Sequence, residues 1–381
     1  MLTHGRRPGR SIQMSKMQYR TSIPIHILGR DRDIARTSTN IYFHSTSTIP
    51  DWIENVGSIF NVYEGSPSAI LEFDEAYYLP GSLCLYDNTG QRIVESCIRR
   101  GAGLTELVDA GLETITLPRE FSTVTDPVMY LTWLPNHWGH FLTESTSRLW
   151  ARLAHPELSG MAGFCVMPDP LEEPYAEILS AFDLRAGKNL FSSTQPVRLN
   201  KCFVPLASYS NRAESYTVHR DVFAAVSARF SRSPAAPKSP QPVYLSRRRY
   251  GYGRSIQYEF ELEQRLEQIG VRIAYPEQLS LAEQIGLFNQ HRQFIGCWGS
   301  AFHSLVFSES PSACVTDVIC ENIPSVNYLM FDAINGNRAN YINSMRELPD
   351  KEQIWPSLHL EINPDEILDY LLTSDHFDSA T

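Results

Sequence analysis

The feature that most constrains this chain is the alternation of short apolar runs with helical periods after residue 242. Val243–Ser246 reads as a short strand. Ser255–Ile269 reads as a helix: Leu262, Leu266 and Ile269 fall at i, i+4 and i+7, and Gly270 is a natural stop. Val271–Tyr275 is the next strand, closed by Pro276. Ser280-x-x-Glu283 is a capping box, and the helix it opens places Leu281, Ile285 and Phe288 on one face. Gln293–Cys297 is a third strand, a glycine turn and an apolar helix follow, and Ala313–Cys320 is a fourth. This β-α-β-α-β-α-β order predicts a parallel sheet with right-handed crossovers, covered on both faces. Such sheets bind ligands beyond the carboxyl ends of their strands. Both the Ser246–Arg254 loop and the Gly296–His303 turn fall there.

At 381 residues the chain is long enough for two domains of roughly 150 residues each. Ser231–Pro242 (SRSPAAPKSPQP) has four prolines and neither helical nor strand period, as expected of an extended connector. The expected division is a basic, unstructured segment over 1–40, a first α/β domain over 41–232, a linker over 233–242 and a second domain over 243–381. The first domain is less legible. Strand-like runs (Ile41–His44, Ser68–Phe73, Val128–Trp133, Gly163–Met167) mix with helical ones (Thr143–Leu153, Tyr175–Phe182, Val218–Phe230). Glu366–Leu372 reads as a closing amphipathic helix.

A net charge of −10 argues against a nucleic-acid partner, whose footprint is usually basic. Residues 1–30, by contrast, carry six Arg and Lys and no acid. This start reads as a solvated tail, as a contact to an anionic membrane surface, or as a targeting segment. No run reaches the roughly 18 apolar residues of a membrane span. Seven scattered Cys, with no Cys-x-x-Cys pair, read as buried free thiols of a reducing, cytoplasmic compartment rather than as structural zinc ligands.

Three clusters could carry chemistry. In Asn136–Arg152 (NHWGHFLTESTSRLWAR), a helical reading puts His140, Glu144 and Arg148 on one face, with Leu142, Leu149 and Leu153 nearer the other. A His one turn from a carboxylate has its tautomer fixed and its basicity raised, which suits a general base. The same pattern also describes a solvated face with one Glu–Arg pair. In Ser246–Arg254 (SRRRYGYGR), four Arg and two Gly follow a strand directly, suited to bidentate phosphate contact; the plainer reading is a basic surface loop. In Phe294–Phe307 (FIGCWGSAFHSLVF), Gly299-Ser300 would let a diphosphate approach the helix start, and His303 is either a donor contact or a packed core histidine. The chain lacks a P-loop, a Gly-x-Ser-x-Gly elbow, a His-Glu-x-x-His helix and a Gly-x-Gly-x-x-Gly fingerprint, and it offers no convincing Asp-x-Asp between strands, so no metal-bound diphosphate site is implied.

Taken in order, the clusters resemble glycosyltransferase family 61, in its bacterial polysaccharide-type form. The matching pieces are Gly139-His140-Phe141 through Glu144 and Arg148-Leu149; Ser246-Arg247; Arg254 and Glu259; Tyr275-Pro276-Glu277, Leu279-Ser280 and Glu283-Gln284; then Gly296, Gly299-Ser300-Ala301, Leu305 and Phe307. They span about 200 residues. Trp298 departs from the pattern, since many members have a His there, and His140-Phe141 replaces the usual His-Trp. The resemblance implies a GT-B-like α/β enzyme, two Rossmann-like domains facing across a cleft, the C-terminal one a doubly wound parallel sheet. It further implies inverting transfer of a sugar from a nucleotide-sugar donor to a glycan acceptor, with no metal and no other cofactor. His140 and Glu144 would form the base side. Ser246, Arg247, Arg254, Glu259, Gly299, Ser300 and His303 would bind the donor. The alternative is a non-catalytic nucleotide- or glycan-binding relative of the same fold.

Overall fold

The computed structural model describes residues 19–28, 33–43, 60–101, 104–167, 169–231, 238–250, 254–309, 314–319, 325–347 and 358–373. Residues 1–18, half of the proline-rich linker (232–237) and Gly251–Gly253 therefore lie outside the described residues.

The chain forms a mixed α/β fold of several sheets. The largest has ten strands in the order Tyr209–Ser210, Glu214–Tyr216, Asn61–Tyr63, Tyr19–Leu28, Asp33–Phe43, Arg338–Asn343, Cys314–Ile319, Gln293–Cys297, Val243–Leu245, Arg272–Ala274. Tyr19–Leu28 and most of Asp33–Phe43 fall within residues 1–40, read from sequence as unstructured. They pair antiparallel with each other, and Asp33–Phe43 joins Arg338–Asn343 in parallel.

The last five strands in this order are all parallel: the four that the alternation predicts, and Arg338–Asn343, which it does not mark. Numbered along the chain, they lie in the order 5-4-3-1-2, a doubly wound arrangement whose direction reverses between Val243–Leu245 and Gln293–Cys297. Both strands at the reversal are buried along their whole length, which explains why they are apolar throughout apart from Gln293. The capping box at Ser280 is present in full, with Ser280 accepting from the Glu283 N–H and Glu283 accepting from the Ser280 N–H.

Three expected helices differ in form. The helix expected from Ser255 begins at Glu259, and Arg254–Gln257 is a strand paired in parallel with Leu358–Ile362. Tyr258, at φ 68°, turns the chain between the two. A partner about 100 residues away decides this, and local periodicity cannot see it. Ser300–Phe307 is a 3₁₀ helix rather than an α-helix. Phe302–Phe307 are all buried, so packing on every side sets its geometry. The stretch expected as a helix over Thr143–Leu153 is broken. A turn of α-helix at Trp138–His140 runs into a π-turn at Phe141–Ser145, and helix resumes only at Trp150–Ala154. Single π-turns of this kind concentrate at functional sites. Val218–Phe230 is helical over the expected bounds.

The first half contributes a five-stranded sheet in which Leu190–Phe191, Ala162–Val166, Val128–Trp133 and Cys202–Pro205 are parallel and Ile70–Phe73 is an antiparallel edge. Hydrophobic packing runs without a break from this half (Met129, Phe141, Trp150, Val226) into the second (Val243, Phe302, Phe331, Tyr341). Cys84, Cys97, Cys165, Cys202 and Cys297 are buried and unbridged. No helix among the described residues is long and apolar enough to cross a membrane.

Candidate functional site

The reversal point of the parallel sheet holds two of the three clusters. Leu245 pairs with Gly296, and the two chains leave the sheet side by side into Ser246-Arg247 and Trp298-Gly299. A Cβ on Gly296 would lie 3.1 Å from the Leu245 carbonyl oxygen, a tight fit that a larger residue meets only if the neighbouring chain gives by a few tenths of an ångström. The Arg247 guanidinium donates to the Trp298 carbonyl and fills the space above Gly299, where an added Cβ would lie 2.7 Å from Nη1. Gly299 itself is extended (φ 171°), so room for Arg247 is what the position demands. The Arg247 N–H donates to Glu259 Oε1 at 2.9 Å, and the Tyr244 hydroxyl donates to the same oxygen at 3.1 Å. Burial raises the Glu259 pKa against these bonds. Ser246 Oγ donates to Glu263 Oε1 at 2.6 Å and accepts from the Arg248 N–H at 3.1 Å. Ser246 and Glu259 are thus buried and spend their side chains on holding the loop. Arg248 pairs with Glu263 and lies 4.7 Å from the Phe260 ring centre, and Arg249 lies 4.2 Å from that of Tyr275. Arg254 opens the Arg254–Gln257 strand of a separate three-stranded sheet.

The first cluster is no solvated face. Glu144 is 3% exposed. Its Oε2 lies 3.1 Å from His140 Nδ1 and accepts from Arg100 Nη2 at 2.8 Å, while Oε1 accepts from Arg100 Nε and from Asn211 Nδ2. Burial pushes the Glu144 pKa up, but the His140 and Arg100 bonds outweigh it, and the group ends below its ordinary value. The carboxylate therefore stays ionised 3.1 Å from His140 Nδ1, while Arg100 Nη2 lies 3.3 Å from the same nitrogen; the shorter contact, to Glu144, favours the Nδ1–H tautomer. His140 Nε2 is then the free basic nitrogen on a side chain 34% exposed. Trp133 and His137 flank the imidazole, with ring centres 5.8 and 4.6 Å away. Trp133 follows a register shift between Tyr130 and Thr132, and Thr132 sits at φ 81°, strained for a β-branched residue. Arg148 does not join the group. It is buried and donates to the carbonyls of Pro205 and Glu95.

The two regions meet. A Cβ on Gly139 would lie 3.3 Å from Ser300 Cβ and 3.4 Å from His303 Nδ1, so the turn bearing His140 rests directly on the start of the 3₁₀ helix. Trp138 Nε1 donates to the buried Ser304 Oγ at 2.8 Å. His303 is buried, among the described residues neither ring nitrogen has a hydrogen bond, and its ring centre lies 4.9 Å from that of Phe331. Burial, helped by the nearby His140 and His137, lowers its pKa to about 3, so it is neutral. His140, Glu144, Gly299, Ser300, His303 and Arg247 are thus drawn into one region.

Sequence reasoning missed Arg100, Asn211 and Trp138. Arg100 and Asn211 reach Glu144 from residues 44 and 67 positions away, and no local pattern marks them. Trp138 had a usable signal, being an aromatic beside the glycine of the same motif.

Residues 138–316 match the family model Glycosyltransferase 61, so over that segment the resemblance drawn from the motifs is shown. A search of curated proteins returned no match to the chain. The family implies glycosyltransferase activity.

Proposed function

We propose that this glycosyltransferase 61 chain moves a sugar, with inversion and without a metal, from a nucleotide-sugar donor to a hydroxyl of a glycan acceptor. The observation that carries the reading is the contact of the His140 turn, through Gly139, with Ser300 and His303 at the reversal point of the parallel sheet. This contact supports reading His140 as a base beside a diphosphate site.

His140 Nε2 takes the proton of the acceptor hydroxyl as its oxygen attacks the anomeric carbon. The bond from that carbon to the diphosphate breaks, and the diphosphate leaves with the electron pair. Glu144 stabilises the imidazolium that forms. General base assistance of this kind is typically worth about 10²–10⁴-fold. Arg247, Arg254 and the Gly299–Ser300 amides meet the charge that builds on the leaving group, and neutral His303 adds one N–H. Ser246 and Glu259 act as supports that fix the Arg247 backbone. The reaction needs no further cofactor and is placed in the cytoplasm, where the basic start of the chain would touch the membrane surface.

A thermal-shift screen without added metal tests this, using UDP-, GDP-, CDP- and CMP-sugars with the bare nucleotides. Ligand at 100 times Kd stabilises by about 2.7 kcal/mol. One nucleotide family should stabilise the protein, and Arg247→Ala should abolish the shift. A shift unaltered by Arg247→Ala moves the donor site elsewhere. Donor binding without turnover on any glycan acceptor would favour the non-catalytic relative.

A further inference from the structure

Three carboxylates stand at the corner of the sheet where the donor is placed, and two are fully engaged. Glu259 is buried under the Arg247 N–H and the Tyr244 hydroxyl. Glu263 is buried and accepts from Ser246, Arg248 and the Tyr275 hydroxyl. Glu277 differs. It is exposed, and among the described residues no side chain holds its carboxylate.

Its position is fixed from both sides. Glu277 lies in the short 3₁₀ turn Pro276–Gln278, three residues past the end of the Arg272–Ala274 strand. That strand pairs in parallel with Val243–Leu245, the strand that delivers Arg247. Arg249 stacks on Tyr275, one neighbour of the turn, and donates to Gln278 Oε1, another, at 3.0 Å. Arg247 and Arg249 both act electrostatically on the Glu277 carboxylate. In dinucleotide-binding doubly wound sheets a glycine-rich phosphate turn follows the first strand and an acid past the second meets the ribose hydroxyls; this chain lacks that glycine fingerprint but keeps an acid at the corresponding place. Here that acid is Glu277, in the turn that follows the second strand.

We propose that Glu277 is the ribose-recognising residue of the donor site, accepting hydrogen bonds from the 2′- and 3′-hydroxyls of a ribonucleoside diphosphate whose phosphates face Arg247. A carboxylate has acceptors only, and its two oxygens match two vicinal hydroxyl donors. It would repel the phosphates, which leaves the diol as the fitting part of the ligand. This inference rests on the nucleotide-sugar reading above and adds that the site selects ribose over deoxyribose.

The test is calorimetric and needs no turnover. UDP, GDP, CDP and ADP are titrated into the full chain beside their 2′-deoxy forms. For whichever diphosphate binds, the ribo form should bind about tenfold to a hundredfold more tightly, the worth of one hydrogen bond to a charged group. Glu277→Ala should weaken the ribo form by a similar factor, leave the deoxy form nearly unchanged and bring the two within about threefold. The exposed position predicts an unchanged unfolding midpoint for this variant. Equal affinity of both forms in the unaltered protein, or discrimination retained in Glu277→Ala, overturns the assignment while leaving the transferase reading intact. Binding of none of the eight nucleotides overturns the nucleotide-donor reading, and this inference with it.

Discussion

Trp138 Nε1 donates to Ser304 Oγ at 2.8 Å, a bond between residues 166 positions apart that ties the His140 turn to the 3₁₀ helix after Gly299. Ser304 is fully buried, so losing its partner strands a hydroxyl away from water. Trp138→Phe should cost about 1–3 kcal/mol of stability in urea denaturation. It should also lower kcat/KM for the donor, since the two halves of the site lose their link. The double variant Trp138→Phe, Ser304→Ala should recover part of the stability. Strict additivity of the two single losses would mean that the bond contributes nothing.

Arg100 is the cation that keeps the buried Glu144 ionised together with His140. Replacing it by Met leaves a carboxylate 3% exposed with one strong partner fewer, at a cost of about 3 kcal/mol. The sign follows from the lowered Glu144 pKa. Its stabilisation is full above the unfolded carboxylate value and is lost as pH falls through the folded one. Without Arg100 the folded value rises, so both the acid loss of stability and the acid limb of kcat/KM should move to higher pH. Arg100→Lys should restore the limb in part. An acid limb unmoved in Arg100→Met would detach Arg100 from the base.

Gly299→Ala separates space from backbone strain. The φ of 171° suits any residue, so the substitution adds no backbone strain. The added methyl would, however, lie 2.7 Å from Arg247 Nη1 and must displace that side chain. Nucleotide affinity should therefore fall as far as in Arg247→Ala, with little further loss in the double variant. Normal affinity in Gly299→Ala would exclude Arg247 from the phosphate site.

The parts of this protein legible in its sequence are those set by near neighbours. The Ser280 capping box, the Val218–Phe230 helix and the buried Gln293–Cys297 strand all follow from local period and chemistry. The His140–Glu144 contact was legible because four residues span one helical turn, and the π-turn that follows His140 still brings the two side chains together. What failed depends on distant partners. Ser255–Gln257 has a helical look but pairs with His359–Glu361. Arg148 shares the periodicity of Glu144, yet it is pulled to the carbonyls of Glu95 and Pro205. Glu259 fits the family motif by spacing, but the burial of its carboxylate under the Arg247 amide emerges only in three dimensions.

Two buried histidines give the protein an acid-sensitive fold. His219 and His303 both have pKa values lowered to about 3, chiefly by burial. Unfolded histidine takes its proton near pH 6.5, so the unfolded chain binds more protons as pH falls from about 6.5 toward 3, and stability drops across that window. Each group contributes a slope of at most about 1.4 kcal/mol per pH unit. Asp332, raised to about 6 by burial, acts in the opposite sense, since the folded state holds its proton between about 6 and 4. It offsets only one of the two histidines. His303→Phe keeps an aromatic ring against Phe331 and removes one ionisable group. The stability lost between pH 7 and pH 5, read from urea midpoints, should then be clearly smaller than in the unaltered protein. An equal loss in the variant would show that His303 is protonated in the folded state, and would remove the neutral donor from the proposed diphosphate site.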